Sequence, residues 1–190
     1  MKGIELEDNN ISNCYYGIQL LGGPLEKFDI KDNVIDCSTG ALALYVQADY
    51  IPCPPPFINT PRTSKGKIKD NTVHDALFGI VCQASTTLKN VQVKGNTFVN
   101  SGLFDVLLAN SNAPPGFSGA NGFTIKGNTF SGTADVADVY LGQATINNVI
   151  KVPVGTHVRA EMNASGMSML PWLSQTFCET APQECSRSSC

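Results

Sequence analysis

A six-residue pattern centred on an asparagine recurs along the chain. It reads apolar, any residue, Asp or Gly, Asn, any residue, apolar. Its intervals follow a basic period of about 24 or 25 residues, lengthened in the second and fourth intervals, which lies in the range of solenoid repeats. The chain is therefore expected to stack coils of one repeated unit. The copies are LEDNNI (6–11), IKDNVI (30–35), IKDNTV (68–73), VKGNTF (93–98) and IKGNTF (125–130).

Short runs of alternating apolar residues flank each asparagine, and a further run follows it. Alternation over a few residues, rich in Val, Ile, Leu and Phe, predicts strands. The asparagine itself is expected to turn a corner in the left-handed region, and stacked asparagines to hydrogen-bond from coil to coil. The further runs begin at Gly17, Gly40, Gly79, Asp105 and Asp138. The predicted ladder consists of Asn9, Asn33, Asn71, Asn96 and Asn128.

With this pattern, residues 3–145 resemble the right-handed parallel β-helix proteins of the pectate-lyase-like superfamily, which carry an asparagine ladder. The resemblance implies an all-β fold: a right-handed single-stranded parallel β-helix, or solenoid, of about five to six coils with a non-repeat C-terminal tail. The superfamily includes polysaccharide lyases, pectin hydrolases, alginate epimerases, phage tailspikes and non-catalytic modules. The resemblance therefore implies a fold without selecting one activity.

The repeat pattern also predicts the domain organisation. Residues 1–152 are assigned to the β-helix, with insertions near 45–65 and 109–121, and residues 153–190 to a cysteine-containing C-terminal cap or tail. Ile4 already belongs to the first repeat, with no capping segment before it. A fragment of a longer solenoid is therefore expected.

Composition limits the partners. Apolar residues make up 42% of the chain and charged residues 15%, with a formal net charge of -3, which gives no electrostatic case for nucleic acid. No apolar run is long enough to cross a membrane, and the opening MKGIELEDNN lacks the apolar stretch of a signal peptide. Neither nucleic acid nor membrane is therefore predicted as a partner.

The cysteines predict the compartment. The chain has 7 of them, and Cys82 falls at an inward strand position as a small buried hydrophobe. Cys14 and Cys37 fall in the same bend of neighbouring coils, close enough to pair. Three disulfides would favour an extracellular or cell-surface setting. The spacing matches no zinc signature, so neither metal nor cofactor is predicted. The disulfide candidates are Cys14, Cys37, Cys53, Cys178, Cys185 and Cys190.

Two outward columns follow from the alternation. In the strand before each asparagine, lysines including Lys69 and Lys94 should stack about 4.8 Å apart. They form either a cationic strip for an acidic polysaccharide or a solvated face paired with Asp29, Asp32 and Asp70. On the last strand the outward residues carry no carboxylate or base, and this apolar column is expected to be covered. Its members are Gln19, Ala43, Val81, Leu107 and Tyr140.

The insertions bring aromatic side chains to one side of the predicted helix. Aromatic faces beside a shallow groove suit sugar rings, and the alternative is that they fix the loops to the body. The predicted carbohydrate contacts are Tyr45, Tyr50, Phe57, Arg62, Phe117 and Tyr140, together with Lys69 and Lys94.

One titratable pair arises from the predicted register. Asp36 and His74 stand three residues after their asparagines, so they should lie one above the other on adjacent coils, with Asp75 alongside. A carboxylate can orient an imidazole as general base, which makes Asp36 and His74 the candidate catalytic residues. A structural surface contact is the alternative.

Two classes of function remain. The first is an extracellular polysaccharide-associated β-helix module, lyase-like or epimerase-like if it is an enzyme, with no complete catalytic row. The second is a non-catalytic structural or adhesive solenoid that stacks with other copies, or with missing coils of the same chain, into a larger assembly. The first is favoured by analogy with the superfamily.

Overall fold

The structure, a computed structural model, describes residues 3–22, 26–46, 65–84, 88–110, 120–132, 134–142, 145 and 147–161. All regular secondary structure in these ranges is β-strand. No helix in them has the length and apolarity needed to cross a membrane. The strands are β1 (Ile4–Glu7), β2 (Asn10–Gly22), β3 (Lys27–Lys31), β4 (Val34–Val46), β5 (Lys65–Lys69), β6 (Thr72–His74), β7 (Phe78–Ala84), β8 (Leu88–Lys89), β9 (Val91–Lys94), β10 (Thr97–Val99), β11 (Phe104–Asn110), β12 (Ala120–Asn121), β13 (Thr124–Lys126), β14 (Thr129–Ser131), β15 (Ala137–Leu141), β16 (Val149–Lys151) and β17 (Val158–Ala160).

Each strand pairs in parallel with the equivalent strand of the next coil. Sheet 1 is six-stranded, in the order β1-β3-β5-β9-β13-β16. Sheet 2 is nine-stranded, in the order β14-β10-β6-β4-β7-β11-β15-β17, with β2 paired to β4, and a two-stranded sheet joins β12 to β8. Parallel pairing between successive coils, rather than hairpins, is the arrangement of a parallel β-helix.

The core is a stack of apolar side chains inside the coils. In sheet 1 the alternation points Leu6, Ile30, Ile68, Val93 and Ile125 inward; the last four are fully buried, and Leu6 on the first coil is half-buried. In sheet 2 the register stacks Phe98 on Phe130, with ring centroids 5.5 Å apart and planes 7° apart. Because each coil buries its apolar face only against its neighbours, stability depends on an unbroken stack.

The asparagine ladder is also confirmed. Each ladder side chain after Asn9 accepts two hydrogen bonds on Oδ1, one from the backbone N–H and one from the Nδ2 of the asparagine one coil before it. For Asn96 the donors are Asn71 N at 3.1 Å and Asn71 Nδ2 at 2.9 Å. Asn96 in turn donates from N and Nδ2 to Asn128 Oδ1 at 2.9 and 3.0 Å, and from Nδ2 to Ile68 O at 3.0 Å. These bonds satisfy polar groups that the corner would otherwise bury unpaired.

The prediction that the ladder asparagines adopt the left-handed conformation is wrong. The residue before each asparagine adopts it instead, with φ between 55° and 70°. Asp tolerates this region through its short polar side chain, and Gly has no Cβ to clash, which explains why the motif has Asp or Gly there. The asparagine is thereby free to direct its amide along the stack. The residues with positive φ are Asp8, Asp32, Asp70, Gly95 and Gly127.

The cysteine predictions divide between described and undescribed residues. A disulfide joins Cys14 to Cys37 on adjacent coils, and Cys82 is buried and unpaired. The other four candidates, Cys53, Cys178, Cys185 and Cys190, lie outside the described residues.

The parallel pairing continues past residue 152. β16 pairs with β13, and β17 pairs with β15. The assignment of residues 153–190 to a cap or tail stays a prediction, because residues 162–190 lie outside the described part of the chain.

Candidate functional site

The predicted catalytic pair occupies the expected register on the outside of sheet 2. Asp36 is the register partner of His74, and Asp36 is exposed while His74 is half-buried. No hydrogen bond or ion pair joins these two side chains. Asp36 and Asp75 line a shallow cavity of about 300 Å³ beside Cys14. The pair is thus placed together as predicted, whereas its catalytic role stays a prediction.

A column of lysines runs along the outer face of sheet 1. The register places Lys31, Lys69, Lys94 and Lys126 on successive coils, as predicted. One more coil adds Lys151, which the sequence pattern did not include because Val152 and Pro153 follow it in place of the motif's Asp or Gly and Asn. We call these five residues the lysine column. Neighbours along it are about 4.8 Å apart at the backbone.

Salt bridges divide the lysine column into two parts. Lys31 Nζ lies 3.0 Å from Glu7, whose hydrogen bond raises the pKa of that lysine, and Lys69 Nζ lies 3.9 Å from Asp70. The remaining three lysines are exposed, and in the described ranges none of them forms a salt bridge: Lys94, Lys126 and Lys151. The expected pairing with carboxylates therefore holds for the first coils only.

The carboxylate pairing that was predicted for the lysines differs in one further detail. Asp29 pairs with Lys67, at 3.6 Å, rather than with a member of the lysine column. Beyond Lys67 the same outward column continues with the uncharged residues Gln92 and Thr124. The outer face of sheet 1 therefore becomes more positive toward the last coils.

The outward column of sheet 2 is largely covered. Ala43 and Val81 are only 3% and 7% exposed although their side chains point away from the core column, whereas Gln19 is exposed. The apolar character of this column therefore coincides with burial in the middle coils.

Tyr140 is the last residue of the predicted outward column, which the register continues to Arg159. Its hydroxyl donates a hydrogen bond to Glu161, which raises the pKa of the phenol. The ring contacts Phe104 at 5.1 Å between centroids, and the Arg159 guanidinium lies 5.9 Å from the ring centroid. Tyr140 is half-buried, so part of its ring is accessible to solvent for the predicted contact with sugar.

The remaining predicted carbohydrate contacts lie in the insertions. The side chain of Tyr45 is not described, although its backbone pairs within sheet 2. Tyr50, Phe57, Arg62 and Phe117 lie outside the described residues.

The structure reveals two carboxylates that the sequence prediction missed. Asp105 and Asp138 occupy one column at the corner of adjacent coils, each one residue before the inward residue of its strand, Val106 in β11 and Val139 in β15. In the earlier coils the same column contains the small residues Gly17, Ala41 and Gly79. A Cβ at Gly79 would collide with the backbone oxygen of Asp105 and with the ring of the core residue Phe98. The column therefore points inward at this coil.

Burial makes Asp105 an unusual acid. The residue is only 4% exposed, and burial raises the pKa of its carboxyl to about 6. Ser101 beside it lowers the pKa partly, although its buried Oγ is not in good hydrogen-bonding geometry. Asp138 reinforces the rise, both as a neighbouring charge and as acceptor for the protonated form of Asp105. Because its pKa is raised to about 6, the carboxyl of Asp105 binds a proton in mildly acidic solution.

Asp138 faces a cavity of about 450 Å³ at the last described coil. The turn at 153–157 forms one wall, and β14 with the turn after it forms the other. Asp138 is 7% exposed, and its Oδ2 accepts a hydrogen bond of 2.6 Å from the backbone N–H of His157. Phe130 also lines the cavity, and it is half-buried because no strand follows β14 at that edge of sheet 2. We call this space the Asp138 cavity.

The repeat alignment contains the signal that identifies the carboxylate pair. The runs that follow the ladder begin with Gly at 17 and 79 but with Asp at 105 and 138. A costly buried carboxylate at a position where other coils have a small residue marks a site where function overrides the repeat. The predicted outward column does not include the pair, because Asp105 and Asp138 lie two residues before its members Leu107 and Tyr140.

The parallel pairing of strands from coil to coil agrees with a comparison to known protein families. The family model for the right-handed beta helix region matches residues 2–114, more than half of the chain, and the chain belongs to this family. The predicted right-handed parallel β-helix is thereby confirmed. Nothing matches the chain among curated proteins or among solved structures.

Proposed function

We propose that this β-helix is an extracellular module that binds an acidic polysaccharide along the lysine column. The observation that carries the proposal is the run of three exposed lysines without salt bridges on the last described coils, Lys94, Lys126 and Lys151. A solvated face with a stabilising role would keep its carboxylate partners, as Lys31 and Lys69 do. The later coils present ammonium groups that are available to a ligand.

The spacing of the column suits a linear polyanion. Register-paired strands set the lysines about 4.8 Å apart. Successive carboxylates of a uronic-acid polymer recur at a similar spacing, one per sugar residue. Several weak contacts on one rigid surface add up, because the solenoid holds them in place before binding. Gln92 and Thr124 on the neighbouring column supply hydrogen-bonding groups for sugar hydroxyls.

Replacing two lysines of the column should weaken this binding. We expect Lys94→Gln combined with Lys126→Gln to reduce affinity for polygalacturonate or alginate about tenfold, since each exposed ion pair contributes up to about 1 kcal/mol. The affinity of the unaltered protein should fall as salt is added, because exposed charges are screened. Isothermal titration at two ionic strengths measures both effects.

A matched control removes the same charge from the same sheet. Lys27 and Lys65 are exposed and register-paired at the opposite end of β3 and β5, about 13 Å from the lysine column. The double variant Lys27→Gln, Lys65→Gln should bind within about twofold of the unaltered protein. Equal losses in the two double variants, or no binding of either polymer by the unaltered protein, would sink the proposal.

The extracellular setting is supported by the disulfide between Cys14 and Cys37. Disulfides persist in oxidising compartments and are rare in the cytosol. Thiol labelling of the denatured protein from its natural source, followed by peptide mapping, tests this part. Cys14 and Cys37 should resist labelling until reduction while Cys82 is labelled, and labelling of all three without reduction would contradict it.

A further inference from the structure

The Asp138 cavity combines three features that suit a sugar ring. It has a fixed carboxylate, an aromatic ring and hydroxyl side chains, the last from Thr129 and Thr156. Its volume of about 450 Å³ falls within the range of small-molecule sites. It lies on sheet 2 and the turn at 153–157, whereas the lysine column lies on sheet 1, so the two surfaces are separate.

We propose that the Asp138 cavity is a second ligand site, which binds one residue of a neutral sugar chain. The carboxylate of Asp138 accepts hydrogen bonds from sugar hydroxyls, and the ring of Phe130 packs against the apolar C–H face of the sugar.

The orientation of Asp138 supports this role. The N–H of His157 fixes Oδ2 at 2.6 Å, so the carboxylate enters the cavity in one orientation without paying to become ordered on binding. Hydrogen bonds from hydroxyls to a charged acceptor are stronger than bonds between neutral groups. Asp138 lines the cavity and Asp105 does not, so Asp138 is the carboxylate that meets a ligand there.

The aromatic wall is fixed in a similar way. Phe130 stacks on the fully buried Phe98, which keeps the two ring planes nearly parallel, 7° apart. Aromatic rings next to polar groups suit pyranose rings, which have an apolar face and polar edges. A uronic acid would bring its own carboxylate close to Asp138, and this repulsion selects neutral sugars here while the lysine column selects acidic ones.

The two sites can be tested separately by amide chemical-shift titration. The probes are mannotriose, cellotriose and galactotriose, with trigalacturonate for comparison. At least one neutral trisaccharide should shift the amides of Thr129, Phe130, Asp138 and Thr156, and Asp138→Asn should weaken its binding about tenfold or more. Phe130→Leu, which keeps the cavity apolar but removes the ring, should weaken it as well.

A matched control uses a carboxylate elsewhere. Asp8→Asn makes the same substitution at an exposed corner of the first coil and should leave trisaccharide binding within about twofold. Asp138→Asn should leave polygalacturonate binding to the lysine column unchanged, so the two proposals can fail independently. If no neutral trisaccharide shifts these amides, or if Asp138→Asn and Asp8→Asn bind alike, the cavity site is overturned.

Discussion

Asn96→Ala is expected to cost about 4 kcal/mol of unfolding free energy. Asn96 is fully buried, and its removal leaves the backbone N–H of Asn71 without its acceptor and takes one of the donors from the carbonyl of Ile68. It also breaks the side-chain bonds to Asn71 and Asn128. Each buried polar group left unpaired costs about 1–3 kcal/mol, so the middle of the ladder should be among the most sensitive positions of the fold. Urea unfolding followed by circular dichroism measures the loss.

The same substitution at the end of the ladder serves as its control. Asn9 is exposed and donates to Asn33 from N and Nδ2, so water can replace the bonds that Asn9→Ala removes from its side chain. We expect a cost of about 1 kcal/mol or less there. Equal costs for Asn9→Ala and Asn96→Ala would show that the ladder bonds do not stabilise the coils through burial.

Asp105→Asn is expected to stabilise the protein at pH 7.5 by about 2 kcal/mol and to leave stability near pH 4 almost unchanged. Burial raises the pKa of Asp105 from 3.8 to about 6. Over that window the folded protein binds more protons than the unfolded chain, so the stability present at low pH falls as pH rises through the folded-state pKa. The full shift corresponds to about 3 kcal/mol, which we reduce because some solvent reaches the carboxyl.

The dependence on pH distinguishes this effect from ordinary repacking. The asparagine amide can still donate to Asp138, and it carries no charge to bury at any pH. Denaturant unfolding of both proteins between pH 4 and pH 8 should therefore give curves that separate between about pH 4 and pH 6 and stay apart above about pH 6. Asp36→Asn, which removes an exposed carboxylate, is the matched control. A constant difference between Asp105→Asn and the unaltered protein at every pH would contradict the assignment of the raised pKa.

The fold was predictable from the sequence because every coil repeats the same physical problem. A fixed inward column, a ladder asparagine and an Asp or Gly before it appear in all five motif copies. The left-handed residue was assigned one position too late, since Asn, Asp and Gly all tolerate positive φ and the pattern has two such residues in a row. Only the backbone shows that Asp8 turns the corner and Asn9 bonds along the stack.

The candidate sites were predictable only where they follow the repeat. The stacking of Lys69 on Lys94 and of Asp36 on His74 follows from register alone. Whether a lysine keeps a carboxylate partner depends on side-chain positions that no period specifies. The Asp138 cavity depends on the turn at 153–157, where the coil departs from the motif and leaves Phe130 uncovered. The contacts predicted in the insertions stay predictions.

Lysine footprinting tests whether an acidic polysaccharide lies along the lysine column. The protein is acetylated under limiting conditions with and without polygalacturonate, and each site is quantified by mass spectrometry. We expect protection of Lys94, Lys126 and Lys151 by the polymer, with unchanged rates at Lys27 and Lys65. Protection spread evenly over both groups, or absent from the column at polymer concentrations that saturate binding, would contradict the claim.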